Sequence, residues 1–282
     1  MENLLGIALN VLTPIALTSF SLLAGLRYGS RGALPLLGLL FVVIAILQGP
    51  LLGLAPVMGL IAVMQMERNQ SYGRIVAMVS TPAVGLCLWQ LVQALDRTYY
   101  QAQYSVMLAQ FETLGVSVAE GGEDLPVLIE AVLRLQPAVG LLTLMLLFVL
   151  SYRASQWLAP RLGLEEALAP PLPLPLWRPW EELIWVLIVA LGLGFLSDGF
   201  LADLALNMAF FMSCLYAVQG LAVLRFFARS RGVPPLVELT FYFGVLLITS
   251  FLALFISAGL GLLDTWFDWR RLRPVPTSEE EP

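Results

Sequence analysis

Glu130 and Arg134 stand four residues apart in an apolar run, acid first, the more favourable order for an ion pair along a helix. About one turn inside a membrane helix, such a pair either neutralises itself or offers a ligand or proton site. Gln90 and Gln93 share a face of a second apolar run, and Asp203 and Asn207 share a face of a third. If the outer halves of these runs converge, Asn207, Asp203, Glu130, Arg134, Gln90 and Gln93 line one outward-facing polar cavity, the best candidate ligand-binding site in the chain. A second constellation closes the last apolar run. Asp264 and Asp268 are one turn apart, and Arg270 reaches Asp268 across the helix surface. Its plainer reading is a capped terminus anchored at the membrane interface by Trp266 and Trp269; its sharper one is a contact point for a partner. Glu67 and Glu238 fall at inner interfaces, where pairing with loop arginines is expected.

Catalytic chemistry has little to work with. The chain has no histidine and no lysine, so all fifteen cations are arginine. The usual general base at neutral pH is absent. His-based zinc sites, Ser-His-Asp triads and Walker A loops are excluded. Cys87 and Cys214 both lie in apolar runs and read as small hydrophobes, too few for a metal site. Gly192-x-Gly194 and Gly259-x-Gly261 sit in apolar runs, not after a strand, so they make no dinucleotide site. No catalytic residue, metal or cofactor is expected, and the chain reads as a non-enzyme.

The elements that must position these residues are membrane helices. Of 282 residues, 59% are hydrophobic and 12% charged, against about 25% charged in a soluble domain. Apolar runs at roughly 4–26, 33–48, 51–66, 75–95, 127–150, 181–197, 201–224 and 236–263 each cross, or nearly cross, a hydrocarbon core about 30 Å thick. The fold class is therefore all-α: a polytopic transmembrane helix bundle of about eight spans, multi-pass in the bacterial cytoplasmic (inner) membrane. The second and third runs, joined by Gln48-Gly49-Pro50, read as a tight helical hairpin. Met-Glu-Asn-Leu at the start has no positive n-region, so the first run is expected to stay as a span.

The organisation is spans 1–5 over 1–163, a Pro-rich inner strap over 164–180, spans 6–8 over 181–273, and a disordered acidic tail over 274–282. The strap, with Pro170, Pro171, Pro173, Pro175 and Pro179, favours polyproline II. Within 96–125, Tyr100, Tyr104, Met107, Phe111, Leu114 and Val118 make one helical face, either an interfacial helix or a lid over the bundle; Gly121 and Gly122 end it. Arginines 27, 31, 68, 74, 153, 161, 178, 225, 229 and 231 fall on one face of an eight-span chain, cytoplasmic by the positive-inside rule. Arg270, Arg271 and Arg273 disagree, since eight spans place them outside.

Ala205, Ala209, Ser213 and Ala217 recur every four residues, a helix-packing stripe that meets either a neighbouring span or a membrane-protein partner. Ser21-x-x-x-Gly25, Ala55-x-x-x-Gly59, Ala190-x-x-x-Gly194 and Ser257-x-x-x-Gly261 are weaker cases. Asn207, then Gln219-Gly220, then Gly261-Leu-Leu-Asp264-Thr-Trp-Phe-Asp268-Trp-Arg270, resembles the YybS-like family of bacterial integral membrane proteins. That family is distantly similar to S components of energy-coupling-factor transporters and to MreD-type shape proteins. The resemblance implies a bundle that binds a small molecule or serves in transport; the alternative is a scaffold in envelope assembly. Expected partners are the lipid bilayer, a small-molecule ligand and a membrane protein, with no nucleic acid.

Overall fold

The computed structural model describes residues 2–48, 50–113, 124–164, 168 and 173–272. Among them there is no strand, and the chain is an all-α membrane helix bundle. Leu114, Val118, Gly121, Gly122, Pro170, Pro171 and the 274–282 tail lie outside the described residues, as does the Glu238 side chain. Two compact units, Met1–Pro171 and Leu172–Pro282, make up the chain.

Among the described residues, the α-helices of the N-terminal unit are α1 (Glu2–Gln48), α2 (Pro50–Glu67), α3 (Tyr72–Gln93), α4 (Arg97–Thr113) and α5 (Asp124–Leu158). The first two apolar runs are halves of α1, and the loop expected between them shrinks to one break at Gly29, φ 77° and ψ 159°. Glycine takes this conformation without a Cβ penalty. The break frees the amide of Ser30, and Glu67 at the end of α2 meets it. Its carboxylate accepts the Ser30 N–H at 2.7 Å and the Ser30 hydroxyl at 2.6 Å. Expected to pair with a loop arginine, Glu67 instead caps the second half of α1. These bonds hold its carboxyl below the usual carboxylate range, with the Arg31 charge a smaller contribution.

Small residues bring α1 and α2 together. A Cβ on Gly25 would stand 2.7 Å from a Val63 methyl, and one on Gly59 would stand 3.2 Å from the Ser21 Cβ. Nearer the hairpin turn, a Cβ on Gly53 would lie 3.0 Å from that of Ala45. Without a hydrophobic force between helices in lipid, such close approach is what holds them. Helix α5 joins this pair through Ser19, whose hydroxyl donates to the Ser151 carbonyl at 3.0 Å. The Ser155 hydroxyl donates back to the Ser19 carbonyl at 3.4 Å.

The C-terminal unit holds α6 (Leu183–Leu196), α7 (Phe200–Ser230) and α8 (Pro235–Phe267). At 14 residues, α6 is about 21 Å long, shorter than the hydrocarbon core. The part of the strap before it is not uniformly extended. Leu174–Leu176 form a 3₁₀ turn between extended Pro173 and Trp177, with the Leu176 N–H bonded to the Pro173 carbonyl at 2.8 Å. Proline's fixed φ suits a first helical turn as well as polyproline II, so dense proline did not decide between them. Helices α7 and α8 cross in near backbone contact. A Cβ on Gly220 would collide with the Ser257 carbonyl, and one on Gly261 with the Tyr216 carbonyl.

Candidate functional site

In the N-terminal unit a cavity forms where α4 leans against α3 and α5. The chain leaves α3 through a short turn at Ala94–Asp96. Asp96 then caps α4, its carboxylate accepting the Thr98 N–H at 2.8 Å, which holds this exposed carboxyl below its usual range. Tyr100, Tyr104, Met107, Leu108 and Phe111 pack half-buried on Leu125, Ile129 and Leu133 of α5. The cavity between these helices is about 30 Å³, lined by Gln90, Ala94, Tyr99, Tyr100, Gln103, Leu133, Gln136 and Pro137. That is room for about one water, against roughly 300–1,000 Å³ for a drug-sized ligand.

Its lining carries no charge. Five side chains are neutral hydrogen-bonding groups: three glutamines and two tyrosines. Gln90 Oε1 is buried and meets no donor. Pro137 has no N–H to give the Leu133 carbonyl four residues earlier. Of the six residues expected to share a cavity, Gln90 is the one in this lining. Glu130 and Arg134 are exposed on α5, and Gln93 is half-buried one turn from Gln90. Asp203 and Asn207 belong to the C-terminal unit, where the buried Asn207 amide donates to the Asp203 carbonyl of its own helix at 2.8 Å.

The C-terminal unit gathers the end-motif residues into a clasp. Helix α8 stops at Phe267, and Asp268 in the left-handed region (φ 44°) turns the chain back. Arg270 thereby folds over the last turn and pairs with Asp264, Nη2 to Oδ2 at 2.8 Å and Nε to Oδ2 at 3.1 Å. It does not reach across to Asp268, as the spacing suggested. Gln219 of α7 donates to the same carboxylate oxygen at 3.1 Å, and the Thr265 hydroxyl donates to Gln219 Oε1 at 3.4 Å. All four are buried. Arg270 Nη1 donates to the carbonyls of Pro175 and Trp177 in the strap, each at 2.9 Å. Arg178 completes the group, donating to the Thr265 carbonyl at 2.7 Å and pairing with Asp268 at 3.4 Å. Both guanidiniums thus sit at the negative end of the α8 dipole.

Nothing in the spacing of Arg178 points here, because its partner Asp268 is 90 residues away. Burying a guanidinium is costly unless its donors are met; the chain gives a partner to each nitrogen of Arg270, while the buried Nε of Arg178 has none. The two partner sets also bring together segments that are expected on opposite faces. A guanidinium cannot bridge a bilayer, so the strap and the end of α8 share one level of the unit, whereas eight simple crossings place them on opposite faces.

The small-residue stripe of α7 is occupied within this unit. A Cβ on Gly194 of α6 would lie 3.9 Å from that of Ala205. Ala209 packs in the Ile184, Leu187 and Tyr216 cluster, and the Ala217 carbonyl accepts the Ser257 hydroxyl at 2.7 Å. Ser213 turns its hydroxyl to the Ala209 carbonyl of its own helix.

A family model described as a predicted membrane protein (DUF2232) matches residues 3–265, nearly the whole chain. No curated protein and no solved structure matches it.

Proposed function

Because the chain belongs to the DUF2232 family of predicted membrane proteins, we propose that it is a non-enzymatic, multi-pass protein of the bacterial cytoplasmic membrane that binds a small molecule, as a carrier or transport-related subunit. The observation that carries this reading is the uncharged polar cavity beneath α4, with the buried Gln90 Oε1 facing no donor. An unmet buried acceptor costs about 1–3 kcal/mol, and polar groups at membrane depth are kept where they serve a site. The missing histidine and lysine argue against catalysis, and the YybS-like resemblance, with its distant likeness to transporter S components, argues for binding. An MreD-like scaffold would use the α7 stripe as its docking surface. Ala205, Ala209 and Ala217 are engaged by α6 and α8 of the same unit, which favours the first reading.

Native mass spectrometry of the protein gently extracted from its own membrane tests this. The expected spectrum carries a small molecule at constant stoichiometry. A protein that arrives empty, with a stoichiometric membrane partner, overturns the reading in favour of the scaffold.

A further inference from the structure

We infer that the cavity beneath α4 is the closed form of a site for an uncharged, hydroxyl-bearing group such as a sugar, and that α4 is the wall that moves to admit it. This rests on the binding reading and names its ligand class and its moving part.

The lining sets the chemistry. No carboxylate or guanidinium is among Gln90, Tyr99, Tyr100, Gln103, Gln136 and the apolar residues between them, so a charged group entering here would lose its hydration with no counter-ion. Glutamine amides both donate and accept, and tyrosine hydroxyls do the same. A set of neutral two-way groups matches hydroxyls, which are also two-way. The open position calls for a donor, because Gln90 Oε1 is buried without one. A hydroxyl group supplies that donor without bringing charge.

The size sets the mechanics. At about 30 Å³ the space holds about one water, so a sugar ring enters only if a wall retreats. Helix α4 is that wall. None of its residues is buried, whereas α5 presents the buried Leu125, Ile129 and Leu133 to it. An element docked through half-buried side chains on one side belongs to the low-stability end of a fold. It is also a self-contained unit, capped at its own start by Asp96. Tyr99, Tyr100 and Gln103 leave with it, while Gln90 and Gln136 stay on α3 and α5. The ligand thereby bridges the moving part and the fixed part, and its binding energy closes the site.

The experiment is hydrogen–deuterium exchange of residues 97–113 in the full-length protein in nanodiscs. One arm adds glucose to the buffer; a second places monoglucosyl diacylglycerol in the disc; a third adds phosphocholine. A ligand at ten times its dissociation constant suppresses opening about tenfold, so exchange across α4 slows about tenfold in one of the glucosyl arms. Which arm responds tells a free sugar from a lipid headgroup. Phosphocholine leaves exchange unchanged. Gln90→Leu, which keeps the apolar stem and removes the amide, abolishes the response, while Gln93→Leu on the same helix retains it. No slowing in either glucosyl arm, equal slowing in Gln90→Leu, or a larger effect of phosphocholine overturns the inference. A small molecule retained in the native mass spectrum alongside an unresponsive α4 would retire this site and leave the binding reading standing.

Discussion

Glu67 shows how a single side chain can be misread when its partner is a backbone break. From the sequence it is an acid near arginines, and Coulomb attraction is the obvious guess. The structure gives its carboxylate to the amide and hydroxyl of Ser30, because a helix that breaks at Gly29 exposes new N–H donors and their positive dipole end. The consequence is a definite pH dependence. The folded carboxyl titrates below its usual value, so the stabilisation is fully present above the unfolded value of about 4.3 and is lost as pH falls through the lower, folded one. Glu67→Gln mimics the protonated form. The difference in thermal stability between wild type and Glu67→Gln should therefore be constant above about pH 5 and close at lower pH. A difference that stays constant down to pH 3 would show that the Ser30 bonds do not depend on the charge. Glu67 lies just past the apolar run 51–66 and is exposed, so water reaches it throughout.

At the scale of elements, what the sequence displays and what it hides divide along physical lines. Apolar runs locate the helices because crossing hydrocarbon demands about 20 apolar residues each. Small residues locate the close crossings, as Gly25, Gly59, Gly220 and Gly261 do, because only they let backbones meet in lipid. Partner choice is hidden. Arg270 could be placed near Asp264 and Asp268 from spacing, but which acid it takes depends on the left-handed turn at Asp268. That Arg178 and two strap carbonyls join depends on contacts some 90 residues apart. Likewise Gln90 was legible as a polar group in a span, while Gln103, Gln136 and Pro137 come to it only through the docking of α4. The clasp makes a prediction of its own. Removing one member of a buried ion pair strands the other at a cost of about 3–5 kcal/mol, whereas removing both spares that penalty. Asp264→Leu and Arg270→Met should each lower stability by about that much in detergent unfolding. The double variant should lose less than the sum, though not nothing, since the Gln219 amide and the carbonyls of Pro175 and Trp177 lose partners as well. Strict additivity would show that the pair is not coupled.

At the scale of the whole molecule, the clasp bears on how the chain is threaded. Ten arginines distribute over alternate loops as the positive-inside rule requires, and Arg270, Arg271 and Arg273 break the pattern if every apolar run crosses once. For Arg270 the structure gives a definite neighbour. Arg270 donates to Pro175 and Trp177, and Arg178 to Thr265, so the C-terminal end of α8 and the strap before α6 occupy one face of their unit. The strap follows Arg153 and Arg161 and contains Arg178, so the charge rule predicts a cytoplasmic side for that face. Helix α8 starts after Arg225, Arg229 and Arg231 and ends beside Arg178, so the same rule predicts that it is not a simple return crossing. A reporter fused after residue 282 should accordingly be active in the cytoplasm, fluorescent as green fluorescent protein and inactive as alkaline phosphatase. An identical reporter inserted in the strap after Pro173 should report the same side. Phosphatase activity at the C-terminus with a cytoplasmic strap would separate two segments that the clasp joins. It would mean that Arg270 and Asp264 meet their partners in some other arrangement, and the arginine-to-carbonyl bonds would then have to be absent from the membrane-embedded protein.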